Sequence, residues 1–195
     1  MDMTHATLRF PFNERAATEA AVVLVRAYGK PMRLWRLLKI LHLAERESLA
    51  RHGMPIFGGT YCSMQRGPVP SEIYNLTKGE IPSKVWASHL QTRKFDKNHI
   101  EVSVAKDLDP AELTTGNLEA LRAVQRKYLR MGTDELDRVV HGLPEYTPTT
   151  SSIRIEPADL LRRLGKSEEE IDRIRREVEE EAAFFRTHAG LRAHA

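Results

Sequence analysis

One cysteine, Cys62, stands among 195 residues, so neither an internal disulfide nor a multi-thiol metal site can form within the chain. Long apolar runs are missing too; the longest stretches fall far short of the ~20 residues that cross a bilayer. The opening MDMTHATLRFPF has no basic segment followed by an apolar one, so no secretory signal is expected. There is no HExxH, no acidic calcium loop, and neither GxxxxGK[ST] nor GxGxxG to cradle a phosphate. These absences lead us to expect a cytoplasmic protein without metal or cofactor. What is present is ordinary globular material, 41% hydrophobic and 29% charged, which argues against wholesale disorder.

The net charge of +3 hides an asymmetry. Residues 1–100 carry 15 basic and 8 acidic side chains, a net +7, and residues 101–195 carry 15 and 19, a net −4. A basic front half suits an acidic partner or nucleic acid. Equally, the two halves can pack against one another, and this plainer reading is preferred because no dense Lys/Arg run occurs.

Hydrophobic periodicity divides the chain into elements. Asn13 is placed to cap a helix that Gly29 ends, with Ala17, Ala20, Ala21, Leu24 and Ala27 or Tyr28 on one face. Pro31 is expected in the first turn of a second helix carrying Leu34, Leu37, Leu38 and Leu41, stopped by Gly53 and Pro55. Residues 60–64 read as a short strand, Gly67-Pro68 as a turn, and Pro70 or Ser71 as the start of a short helix. From Leu90 to Lys106 the period becomes two, predicting a hairpin about Asp96-Lys97-Asn98 with Phe95, Ile100, Val102 and Val104 facing the core. Helices follow from Thr114 or Thr115, from a Thr133 cap and from Pro157, and a final one opens with the capping box Ser167–Glu170. Ile171, Ile174, Val178, Ala182 and Phe185 form the stripe of that last helix. The expected fold class is mainly α (α+β): a compact helical domain with one small antiparallel sheet or hairpin and a C-terminal helical extension. Residues 13–150 form the domain, 151–186 the extension packed on it, and 187–195 a frayed tail.

Few residues invite chemistry. A Cys62 nucleophile would need a histidine base and a lowered pKa, yet it lies in an alternating Tyr-Cys-Ser-Met strand, where a small buried residue is the preferred reading. His42 and Glu45 are one helical turn apart and could begin a metal site, although such pairs more often simply pack side by side. The second helix bears Arg33, Arg36, Lys39, Arg46 and Arg51, but leucines and Trp35 dominate it, unlike a DNA recognition helix. No enzyme site is visible, which favours a binding protein.

The order of blocks from Leu37 to Tyr74 carries a resemblance. Leu37-Leu38-Lys39-Ile40-Leu41-His42-Leu43-Ala44 is followed by Gly53-Met54-Pro55-Ile56-Phe57, Tyr61-Cys62-Ser63-Met64, Gly67-Pro68-Val69 and Ile73-Tyr74. This resembles the Panacea domain, the SocA-like antitoxin family of bacteria and phages. The similarity continues through Leu118–Tyr128, Thr133–Leu136 and Val140–Tyr146, covering roughly residues 15–150. It implies an antitoxin that neutralises a co-encoded protein toxin by direct contact, with no catalytic residues. Delivery of the toxin to a AAA+ protease and DNA-binding regulation are the alternatives. A neighbouring gene would encode the toxin; a second copy of the chain and, less favoured, nucleic acid are further candidate partners, and no membrane is implied. Interface anchors are typically aromatic, Arg or Met, which selects Trp35, Arg36, Tyr61, Met64, Arg66 and Tyr74 as candidate contacts. His42, Gly53, Pro55, Gly67, Pro68 and Val69 are assigned to shaping the motif, His42 by bonding the loop beneath the Gly-Pro turn.

Overall fold

The computed structural model describes residues 7–96 and 99–192, with side chains to 184. The protein is mainly helical, with a small β part of two three-stranded antiparallel sheets. Helix α1 (Glu14–Tyr28) begins where the Asn13 side chain accepts from the Ala16 N–H at 3.0 Å and ends at Gly29. Its buried Ala16, Ala17, Ala20 and Ala21 let neighbours approach closely. A two-residue strand β1 (Met32–Arg33) then intervenes, so Pro31 precedes a strand and not the first turn of a helix. Helix α2 (Leu34–His52) is the buried spine, with Leu34, Leu37, Leu38, Ile40, Leu41 and Ala44 fully enclosed. Each such leucine contributes about 1.5–3 kcal/mol of burial.

Strands β2 (Tyr61–Met64) and β3 (Gly67–Pro70) form a tight hairpin whose turn is Gln65-Arg66, pairing Met64 with Gly67. Gly67-Pro68 therefore opens a strand where the sequence suggests a turn. Gly67 has φ +111°, and a Cβ there would meet Val140 Cγ2 at 3.0 Å, so strand and helix touch at a residue without a side chain. Helix α3 (Ser71–Lys78) follows, then a short α4 (Val85–His89) that periodicity does not reveal. The hairpin β4 (Leu90–Lys94) and β5 (Ile100–Val104) completes one sheet in the order β1-β5-β4. Val102 is fully buried, with Ile100 and Val104 partly so, but Phe95 is 50% exposed, contrary to expectation. It lies past the end of β4, its ring tilted against that of His99 with centroids 4.6 Å apart. Of the expected hairpin turn, Lys97 and Asn98 lie outside the described residues.

Helix α5 (Thr115–Tyr128) starts with a Thr114–Asn117 capping box. Helix α6 (Thr133–His141) is preceded by Gly132 in the cap position, so Thr133 is its first residue and not its cap. The loop after it enters β6 (Ser152–Ile155), which sequence reading leaves as coil and which pairs with β2 to give the order β3-β2-β6. Helices α7 (Pro157–Arg163) and α8 (Glu168–Arg192) close the chain. The Ser167–Glu170 capping box is formed reciprocally, and α8 continues past residue 186 into the stretch expected as tail. Residues 193–195 lie outside the described residues. Two apolar clusters result: a large one around α1, α2 and α5, and a second in which Ile155, Leu160, Leu161, Ile171, Ile174 and Val178 meet Leu8, Phe10, Leu49 and Tyr61. Among the described residues, no helix is long and apolar enough to cross a membrane.

Candidate partner-binding face

The residues selected from sequence divide by where the fold puts them. Trp35, at the start of α2, meets Tyr74 of α3 with ring centroids 5.5 Å apart. The guanidinium of Arg66, on the β2–β3 turn, lies 5.2 Å from the Trp35 ring centre. The ammonium of Lys78 lies 5.0 Å from Tyr74, so cation, indole, phenol and cation follow one another along the surface. Met64 lies partly buried on the same hairpin. Trp35, Arg66 and Tyr74 are each partly exposed, and a partner covering them would strengthen these cation–π contacts by excluding water. Lys78 also pairs with Glu80, whose hydrogen bond holds the ammonium above its ordinary pKa. Lys78 itself is not apparent as a candidate from sequence; its only signal is the four-residue step from Tyr74.

Arg36 and Tyr61 have other work. Arg36 donates to the Met131 carbonyl at 2.9 Å and to Thr133 Oγ1 at 3.3 Å, clamping α2 onto the α5–α6 connection. Tyr61 is 0% exposed, and its hydroxyl donates to Glu45. The same Glu45 carboxylate accepts the main-chain N–H groups of Ile56 and Phe57 at 3.0 and 2.9 Å, gathering the loop that leads to β2. Burial pushes the Glu45 carboxyl up to about 7, against the pull of these three donors.

His42 lies in the fold's centre. Its Nε2–H donates to Glu145 at 3.0 Å, and Arg46 pairs with the other oxygen of that carboxylate. Its partner is thus the loop after α6 and not the Gly-Pro segment. Burial lowers the His42 pKa against the pull of Glu145, keeping the ring neutral. Burial alone would raise Glu145, but the hydrogen bond from His42 and the charge of Arg46 hold it below the usual carboxylate range. The buried Glu19 plays a similar part, accepting from Arg15 and from the N–H groups of Glu112 and Leu113. Gly53, in the left-handed region at φ +74°, ends α2, while Pro68 and Val69 are buried in β3 and Pro55 is partly buried ahead of Ile56.

Other chemistry finds little footing. His42 and Glu45 turn to separate partners, and no group of three or more His, Cys, Asp or Glu side chains fit to hold a metal occurs among the described residues. Cys62 is buried in the middle strand of its sheet. On α2, Lys39 pairs with Asp137 and Arg46 with Glu145, so these cations serve contacts within the fold, and Arg51 pairs with Glu47 on the helix surface.

A helical domain whose polar core residues serve its own architecture, with an aromatic and cationic ledge outside, has the makings of a protein-binding module. The family model for the antitoxin SocA-like, Panacea domain matches residues 37–146, more than half of the chain, and the protein belongs to that family. Comparison with curated proteins and with solved structures finds no match.

Proposed function

We propose that the protein is an antitoxin that neutralises a protein toxin, encoded by a neighbouring gene, through direct stoichiometric binding and without catalysis. The observation that carries this reading is the family match, which runs from the first turns of α2 to Tyr146. The ledge of Trp35, Arg66, Tyr74 and Lys78 supports it, because aromatic rings flanked by cations suit an acidic protein surface. DNA binding through α2 loses its basis where Arg36, Lys39 and Arg46 are engaged within the fold.

Expression of the adjacent reading frame, with and without this chain, tests the proposal. Growth arrest by the neighbour and recovery on co-expression is the expected outcome; toxicity that persists at high levels of this chain contradicts it. Abundance of the toxin in recovered cells separates two modes of action. Undiminished toxin means inhibition by occupation, whereas loss of the toxin means delivery to a protease.

A further inference from the structure

The hairpin beside the ledge leaves one strand open. In the sheet order β1-β5-β4, β4 lies at the edge. The Phe95 N–H donates to the His99 carbonyl at 2.8 Å, and the Ala105 N–H to the His89 carbonyl at 2.9 Å. In an antiparallel pair the residues exchanging such bonds alternate with residues that do not. Positions 89, 91, 93 and 95 therefore turn their main-chain groups to β5, and Thr92 and Lys94 turn theirs outward. The Leu90 N–H is already used, bonding back to Trp86 in closing α4.

A groove of about 810 Å³ runs along this strand toward the end of α3. Leu76, Trp86 and Ile100 give it apolar walls, and its charged lining residues are Lys94 and Lys78, the latter paired with Glu80 just outside the lining. The indole N–H of Trp86 is buried without an acceptor. Lys78 belongs to both this groove and the aromatic ledge, so the two are continuous.

We propose that the open edge of β4 receives an extended, acid-bearing segment of the protein partner as an added strand, its carboxylates meeting Lys78 and Lys94. This deepens the antitoxin reading and rests on it. Main-chain bonds to Thr92 and Lys94 would supply affinity, and alternate side chains of the incoming strand would enter the groove. Charge complementarity selects this occupant. A second copy docking β4 on β4 would set Arg93 and Lys94 against their own counterparts, and like charges across paired strands are unfavourable.

The test uses the full chain and the purified product of the adjacent reading frame. Amide exchange at Thr92 and Lys94 is measured in the free chain and in the mixture, and binding is measured for Thr92→Pro and Lys94→Glu. Proline at position 92 removes an outward N–H that no internal bond uses, so the sheet should persist and the melting temperature should hold. The expected result is slowed exchange at both amides only in the complex, with binding weakened at least tenfold in each variant. Full-strength binding by both variants, with β4 amides as fast in the complex as in the free chain, overturns strand addition and leaves the antitoxin reading intact. Slowed exchange in the chain alone that grows with its concentration gives the edge to a second copy and also overturns it. If the unsubstituted chain forms no complex, both readings fall. Should a variant fail to fold, the exchange measurement on the unsubstituted chain decides.

Discussion

At the scale of single residues, the buried carboxylates are the costliest choices in this sequence. Glu45 is wholly enclosed, and three donors converge on it. Because its folded pKa is raised from 4.5 to about 7, its contribution to stability is fully present below the unfolded value and is lost as pH rises through 7. Glu45→Gln keeps the shape without the charge. We expect the variant to gain about 2 kcal/mol relative to the unsubstituted chain between pH 5 and pH 8, read by urea unfolding at both. A difference independent of pH would contradict that account. Arg36→Ala should cost roughly 1–2 kcal/mol of stability through its lost bonds to the α5–α6 connection. Its effect on partner binding at a temperature where the variant is folded should be small. As candidate contacts, Trp35, Met64, Arg66 and Tyr74 could be proposed from residue type alone, and the fold leaves each partly exposed. Glu145 could not, since its significance depends on His42, 103 positions away. Glu19 was equally silent, its acceptor role being visible only once the Glu112 and Leu113 amides fold over it.

At the scale of elements, helix ends are where this chain is most constrained. Gly53 closes α2 at φ +74°, and a Cβ there would come within 2.7 Å of Ile174 Cδ1 on α8. Gly53→Ala combines a left-handed alanine with a core clash and should lower stability by about 1–3 kcal/mol, seen as a lower urea midpoint. An unchanged midpoint would mean that α8 yields freely at this contact. The long helices were legible because capping residues and apolar stripes are local signals: Asn13, Thr114 and Ser167 each cap as their side chains suggest. β1, α4 and β6 were not. β1 has two residues and exists because β5 pairs with it, and β6 is drawn into a strand by β2 across some ninety positions. Phe95 reads as core by its residue type, but the register pairs Leu90, Thr92 and Lys94 with Val104, Val102 and Ile100, which leaves position 95 with Gln91 and Arg93 on the opposite, exposed face.

At the scale of the whole molecule, the C-terminal segment is woven into the fold. β6 is the third strand on β2, and α7 and α8 supply half of the buried residues of the second apolar cluster, which encloses Leu49 and Tyr61. Burial of Leu160, Leu161, Ile171 and Ile174 at about 1.5–3 kcal/mol each is comparable with the ~5–15 kcal/mol by which domains are stable. Removal of residues 151–195 should therefore abolish cooperative unfolding, as followed by circular dichroism on heating. A sharp transition within a few degrees of that of the full chain would contradict this. The basic front half noted in the sequence has a structural expression as well, since Arg66, Lys78 and Lys94 border the ledge and the β4 groove, while Lys39 and Arg46 are spent on pairs within the fold. Whether this face holds a protein toxin is decided by titrating the purified toxin with the full chain and with Arg66→Glu/Lys78→Glu. The expected result is a saturable stoichiometric complex with the unsubstituted chain, binding at least tenfold weaker in the double variant, and an unchanged melting temperature. Equal binding by both chains would contradict the assignment of the face, and no binding by either would contradict neutralisation by direct contact.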